Sequence, residues 1–379
     1  MTRAERPAQM VRALAAEPRP AGSEAEGRAR EYCASRLRAA GFDVREETFE
    51  YSAFPGRWGT PVGGVAAMAI LVGASLAGRS SRAGVALALL TLGGVALGLV
   101  ARALTRHGVL TFPAQRRRGV NVVAIRRGVG GRGAIVANAP PAVWLMAHLD
   151  SKSQPVPILA RAAGITLLAL AGIAALAIAA AQYGDSDPVA YGHAWTLLAA
   201  FAVLGAVPVI ASIVGARSPG ALDNASGVAT VLTAAEDATG TEVGVCLTSA
   251  EELGMAGARA WVRNAARGTP AVAINCDGVD DHGTTTCMYS GARPDALVKS
   301  VLEAGVRASA AVRAHRLLPG VLTDGVALAD AGWRVVTLSK GSVRTLARIH
   351  TPRDRPEPLT GVGMAEVAGV IVELLRPTT

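Results

Sequence analysis

The sequence predicts an α/β protein whose mixed, mostly parallel central sheet is sandwiched by helices and interrupted by two inserted transmembrane helical hairpins. Two observations carry this. Short apolar runs alternate with helix-period stretches, the pattern of strands joined by helical crossovers. In addition, four stretches lack Asp, Glu, Lys and Arg entirely, residues 58–78, 83–101, 162–184 and 188–216, and they come as two pairs. Each is about long enough to cross a bilayer core as a helix, for which roughly 20 residues suffice.

In chain order, residues 1–57 form the first part of the α/β domain. They hold an amphipathic helix at 24–40, ended by Gly41, and then FDVREETFEY, whose apolar–charged alternation argues a half-exposed strand. The first hairpin spans 58–104, and residues 105–157 return to the domain with strands VNVVAI and VWLMAH, the latter ending at His148. Neighbouring strands are ordinarily joined by a short turn, so the first hairpin reads as inserted between FDVREETFEY and VNVVAI. The second hairpin spans 158–216. Residues 217–379 complete the domain with strands VGVCLTSA, AVAINCD and WRVVTLSK, which end at Ala250, Asp277 and Lys340. Helix-period stretches at 226–239, 256–266, 293–308 and 361–375 lie around them.

At 51% hydrophobic residues, the 379-residue chain is more apolar than a soluble enzyme needs. Buried helices of a soluble core are the alternative, but such helices seldom run this long without one polar face. The spans are rich in Ala, Gly, Leu and Val, which suits close helix packing in lipid. A transporter is a poor reading, because no span carries the charged residue that marks an ion pathway.

A net charge of +9 raises the question of nucleic acid, yet aromatic residues make up only 4% and none interleave with a basic run. The basic residues flank the spans instead. Arg57, Arg102, Arg106, Arg116, Arg117 and Arg118 border the first hairpin, and Lys152, Arg161 and Arg217 border the second. This is a positive rim for lipid headgroups, so the expected partner is membrane lipid and not nucleic acid. No secretory signal precedes the first span, and an even number of spans returns the chain to its starting side. The expectation is a multi-pass cell-membrane protein with its α/β domain in the cytoplasm. The loop YGDSDPVAYGH, free of Lys and Arg, agrees; Arg79 and Arg82 in the RSSR turn go against it. Cys33, Cys246, Cys276 and Cys287 show no metal-type pairing, and a reducing compartment keeps them free.

Functional groups of an open α/β sheet gather beyond the carboxyl ends of its strands. Here His148 and Asp150 follow VWLMA, Glu251 and Glu252 follow VCLTSA, and Asp277 follows AVAIN. Singly, a strand-end carboxylate caps a helix or meets solvent. Together, imidazole and carboxylates suit zinc, and two ions a few Å apart need a bridging carboxylate with several more to offset their charge. Asp223, in a turn of small residues before an apolar helix, is the candidate bridge, with helix capping as its ordinary alternative. His350 stands in ARIHTPRD, a setting the remaining histidines lack.

The ordered motifs HLD, ALDNASG, AEELGMAG, NCDG and IHTPRD resemble the di-zinc aminopeptidases of the aminopeptidase Y type, within the zinc exopeptidase superfamily. The resemblance covers most of the chain outside the hairpins. It implies two Zn2+ ions, one held by His148 and Asp277, the other by Glu252 and His350, with Asp223 bridging. It also implies that Glu251 is the general base and that Asp150 hydrogen-bonds the imidazole of His148. Glu251 would take a proton from the attacking water, acidified by the zinc pair, and pass it to the leaving amine of a peptide. Acidic groups holding the substrate's α-ammonium would confine cleavage to the N-terminal residue.

Two departures stand out. The family commonly has a Ser-Asp-His run before the last strand, where this chain reads LTDGVALADAGW with Asp324 alone. The second hairpin also leaves the chain soon after Asp150, where the family has a short loop, so the crevice is expected to face the bilayer. Carboxypeptidases and glutaminyl cyclases of the superfamily keep similar ligands and are the alternative activities. For them Arg293, Lys340 or Arg344 would bind a substrate carboxylate, although contact with solvent or headgroups accounts for these residues equally. An inactive membrane scaffold is disfavoured by retention of all five ligands and Glu251.

Overall fold

A computed structural model describes residues 2–127, 141–185, 187–265, 272–318 and 320–376. The chain forms two units. One comprises residues 1–51, 116–153 and 216–379, the other residues 52–115 and 154–215.

The first unit is built on eight strands: β1 (Asp43–Ser52), β2 (Arg116–Arg126), β3 (Val143–His148), β4 (Val243–Thr248), β5 (Val272–Val279), β6 (Thr284–Tyr289), β7 (Val312–Arg316) and β8 (Arg334–Gly341). Their order is β1-β2-β4-β3-β5-β8-β6-β7. The central pairs β4/β3, β3/β5 and β5/β8 are parallel, as is β6/β7, while β2/β4 and β6/β8 run antiparallel. Helices α1 (Glu5–Leu14) and α2 (Glu24–Ala39) precede the sheet.

Alternate residues of the central strands enter two separate cores, as a sheet covered on both faces requires. Leu145 and Ala147 of β3 join one core with residues of α1 and α2. Trp144 and Met146 join the other, which includes Trp261, Ala327 and Leu328. The sandwich expected from the sequence is present, and β1 and β2 are neighbours as inferred for strands separated by the first hairpin.

The structure adds elements that the apolar pattern did not mark. Strand β6 opens on three threonines, and β7 reads VRAHR with three of its five residues exposed, so neither shows a buried-strand run. Residues Glu5–Leu14, mixed in charge and interrupted by Pro7, form a helix with one buried face. Asp324–Asp330 is also helical. The strand ending at Ala250 stops earlier, at Thr248, because the chain turns there. The helix at 293–308 begins only at Asp295, after Pro294. Two proposed termini, Ala266 and Ala271, lie outside the described residues.

In the second unit α3 (Phe54–Arg79), α4 (Ala83–Ala103), α5 (Ile158–Tyr183) and α6 (Gly192–Ile210) pack around small residues. Ala74, Ala86, Ala171, Ala175, Ala202 and Ala206 form its core with Trp195. A methyl group on Gly164 would lie 2.6 Å from the carbonyl oxygen of Gly205, so these two helices approach at a point that only glycine permits. A buried polar pair fixes the helix register: Trp195 Nε1 donates to Gln182 Oε1 at 2.9 Å, and Gln182 Nε2 donates to the Gly78 carbonyl at 2.8 Å. The outward faces are apolar, with Leu92 71% and Ile173 66% exposed. Four helices are long and apolar enough to cross a membrane by length and composition.

Candidate metal centre

Strands β4, β3 and β5 are adjacent and parallel, so their carboxyl ends deliver side chains to one place. His148 closes β3, Asp277 lies near the end of β5, and Glu251 and Glu252 follow β4. Ala250 takes a left-handed φ of 57° and turns the Glu pair out of the strand direction. His350 has a φ of 61°, a second non-glycine residue held in that region next to the cluster.

The seven site residues inferred from the sequence meet here. His148 Nε2 lies 3.1 Å from Asp223 Oδ1, 3.8 Å from Glu251 Oε2 and 3.9 Å from Asp277 Oδ1. His350 Nε2 lies 2.8 Å from Asp223 Oδ2 and 3.3 Å from Glu252 Oε1. Two cradles result, His148–Asp223–Asp277 and Asp223–Glu252–His350, each with ligand atoms within 4.8 Å of one another. Asp223 offers one oxygen to each.

Asp150 departs from its expected role. The Nδ1 of His148 lies 3.0 Å from the Asp150 backbone carbonyl and 3.6 Å from its carboxylate. A donor bond from Nδ1–H to that carbonyl leaves Nε2 as the lone pair facing the cradle. The Asp150 carboxylate instead accepts the backbone N–H groups of Glu251 at 3.0 Å and Glu252 at 3.2 Å. It sets the position of the Glu pair because it holds the turn that carries them.

Asp354 does the same for the bridging residue, and sequence reasoning passed over it. Its carboxylate accepts the N–H groups of Leu222 at 2.7 Å and Asp223 at 3.1 Å. An acid four residues after His350 in the IHTPRD motif was the available signal. Asn224 ties the same loop to β5, since its Nδ2 donates to the Cys276 carbonyl at 2.9 Å and its Oδ1 accepts from Gly227 and Gly278. Arg19 is a buried cation beneath the cluster. Its guanidinium donates to the carbonyls of Leu149, Pro219 and Gly220, joining the His148 loop to the Asp223 loop.

Lys152 is also placed differently from its expected position on a membrane rim. Its Nζ lies 2.6 Å from Glu252 Oε2, inside the cluster, with 17% of the side chain exposed. Asp324 is fully buried and its Oδ2 accepts from Thr248 Oγ1. Arg293 and Lys340 pair with Asp295 and Glu366, away from the cluster.

The electrostatics call for added positive charge. Burial opposes a charged imidazole, yet Glu251, Asp150, Asp223 and Asp277 lift the pKa of His148 well above its ordinary value. Burial also raises Glu251 well above the carboxylate range, with Glu252 and Asp277 adding repulsion against the pull of His148. Asp277 is pushed up to about 7, chiefly by burial. Without a metal, then, protons gather on His148, Glu251 and Asp277, while against burial the two imidazoles hold Asp223 well below its ordinary range and Lys152 holds Glu252 below its own. Among the described residues His148 Nε2 and Glu252 Oε1 are buried without a hydrogen bond, and both belong to the cradles. Imidazole nitrogens and carboxylate oxygens in two such sets fit zinc.

Fold and cluster together define a class, an α/β protein with a candidate two-metal centre at its strand ends. Residues 203–375, which carry Asp223, Glu251, Glu252, Asp277 and His350, match the model of Peptidase family M28. No curated protein sequence matches the chain. The fold is similar to that of an aminopeptidase from Aneurinibacillus sp. strain AM-1 (14% identity, TM-score 0.54, covering 99% of this chain and 96% of that one). It is equally similar to a zinc aminopeptidase from Bacillus subtilis (14%, 0.55, 98% and 94%) and to a glutaminyl cyclase from Porphyromonas gingivalis (15%, 0.55, 98% and 97%).

Proposed function

We propose that this chain is a membrane-anchored metallo-aminopeptidase, in which a co-catalytic pair of zinc ions and Glu251 as general base release N-terminal residues from peptides. The observation that carries the reading is the pair of cradles sharing Asp223, with the Glu251 carboxylate facing into one of them. His148, Asp223 and Asp277 would hold one ion, and Asp223, Glu252 and His350 the other. Zinc, when bound, supplies Lewis acidity that makes water a better nucleophile and polarises a carbonyl.

The chain's own residues perform the proton chemistry. Glu251, buried with its carboxylate facing the His148 cradle, accepts the proton of the attacking water and returns it to the departing amine. Asp150 holds the Glu251 backbone, so the base points at the reacting atoms instead of sampling rotations of the turn. The carboxylates around the cluster attract the α-ammonium of a free N-terminus, which limits cleavage to one residue. The four apolar helices anchor the enzyme as a multi-pass protein with membrane lipid as partner and the α/β unit on the cytoplasmic side. Their exposed Leu and Ile faces support that reading, since patches of this size are rarely left to water.

Glutaminyl cyclase is the second reading, favoured by the cyclases whose folds match this one equally well. One experiment separates the two. Peptides with a free N-terminal Leu or Gln are incubated with the detergent-purified chain, with and without chelator, and the products are weighed. Chelator-sensitive release of a free amino acid supports the aminopeptidase. Loss of ammonia from the Gln peptide at unchanged length supports the cyclase.

A further inference from the structure

We infer that Lys152 makes the two cradles unequal in their hold on zinc: the His148–Asp223–Asp277 cradle fills first, and the Asp223–Glu252–His350 cradle fills weakly because an ammonium group already neutralises Glu252. The inference rests on the metal-centre reading above and goes beyond it to the order of occupancy.

The asymmetry is in the charges. Three carboxylates, from Asp223, Glu251 and Asp277, stand within 3.9 Å of His148 Nε2, and among the described residues no Lys or Arg is ion-paired with any of them. In the other cradle Glu252 turns Oε1 toward His350 Nε2 at 3.3 Å and gives Oε2 to Lys152 Nζ at 2.6 Å. A cation held through Oε1 shares its carboxylate with the ammonium and is repelled by it across a few Å of poorly screening protein.

The backbone that carries each partner is held in place. The Glu252 backbone is bonded to Asp150, and Asp150 precedes Lys152 by two residues on the same loop. That loop is itself tied down: Ser151 N–H donates to the Arg19 carbonyl at 2.9 Å, and Ser151 Oγ donates to the Ser218 carbonyl at 3.0 Å. Arg19 Nε donates to the Leu149 carbonyl just upstream. The backbone at both ends of the pair is thus fixed, and the ammonium leaves Glu252 only by rotation of its own stem. Among the described residues the neighbour cradle has no Lys or Arg paired with its carboxylates; Lys152 acts on Glu251 and the shared Asp223 only through space.

The test is stepwise zinc affinity, measured at constant pH on the full chain in detergent with a competing chromophoric chelator, and metal content by mass spectrometry. The wild type is expected to bind two zinc ions with the second step about 100-fold weaker than the first, the order of difference that a single nearby charge produces. Lys152→Met should strengthen the weaker step by roughly tenfold or more and leave the stronger one little changed, while Lys152→Arg keeps the wild-type gap. His350→Ala should remove the weak step and His148→Ala the strong one. Lys152→Gln serves as the neutral variant if the methionine fails to fold. An unchanged gap in the neutral variant, or loss of its weak step, overturns the inference while leaving the metal centre standing. No zinc bound by the wild type overturns the metal centre itself.

Discussion

The two units of this molecule treat charge in opposite ways. In the α/β unit Arg19, Glu26, Asp150, Glu252, Asp324 and Asp354 are buried, whereas in the helical unit Leu92, Leu99, Ile173 and Leu204 are exposed. Both arrangements are costly in water by the usual rules. Each becomes reasonable once its surroundings are specified. The buried carboxylates gather where a divalent cation can offset them, and the exposed aliphatic side chains face outward on helices long enough for a bilayer. The lesson is that apparent violations of inside–outside partition mark the candidate metal centre in one unit and, in the other, four helices long and apolar enough to cross a membrane.

The largest way to break this contrast is to remove the shared carboxylate. Asp223→Ala takes a ligand from both cradles, and peptide hydrolysis should fall by at least about 1,000-fold together with zinc content, assayed on the same preparation. Next come the residues that hold the ligands. Asp150→Asn and Asp354→Asn each keep the shape but place an amide against two backbone N–H groups. Each should lower metal affinity or kcat by roughly 10- to 100-fold with the fold intact by circular dichroism. In the helical unit Ile173→Arg puts a charge on an exposed apolar face. If that face meets lipid, insertion should be opposed by about 3 kcal/mol, read as a fall in the membrane-integrated fraction with unchanged hydrolysis per folded molecule.

The smallest effect is one of pH. Burial, with repulsion from Asp150, pushes the Glu26 carboxyl up to about 7, well above its ordinary 4.5. The folded chain therefore holds this proton in a range where the unfolded chain has released it, so stability falls as pH rises from about 4.5 to about 7. Glu26→Gln should flatten that decline by up to about 1.4 kcal/mol per pH unit in chelator-treated protein, followed by thermal unfolding.

Much of the first unit was legible in the sequence because its central strands are buried on both faces and read as apolar runs. VWLMAH and VCLT are examples, and their polar endings marked the candidate ligands His148 and Glu252 and the candidate base Glu251. Strands β6 and β7 were not legible, since TTTCMY opens on three threonines and VRAHR, at the sheet edge, leaves three of its five residues exposed, so neither has an apolar run to detect. Lys152 was misplaced for a different reason. It stands a few residues before an apolar span, where a cation reads as a headgroup contact, and only the folded loop brings its Nζ to Glu252. Arg19 and Glu26 act on partners more than a hundred residues away, as when Ser249 Oγ donates to Glu26 at 2.5 Å, so spacing in the chain carries no trace of them, whereas Asp354 left one signal, its place in IHTPRD.

The central claim is that Glu251 acts as base in a metal-loaded cluster, and Glu251→Gln tests it most directly because the amide fills the same space without taking a proton. Zinc content and hydrolysis of amino-acid anilides are measured together on wild type and variant. The account predicts zinc unchanged and turnover reduced by about 100- to 10,000-fold. Wild-type turnover in the fully zinc-loaded variant would contradict it.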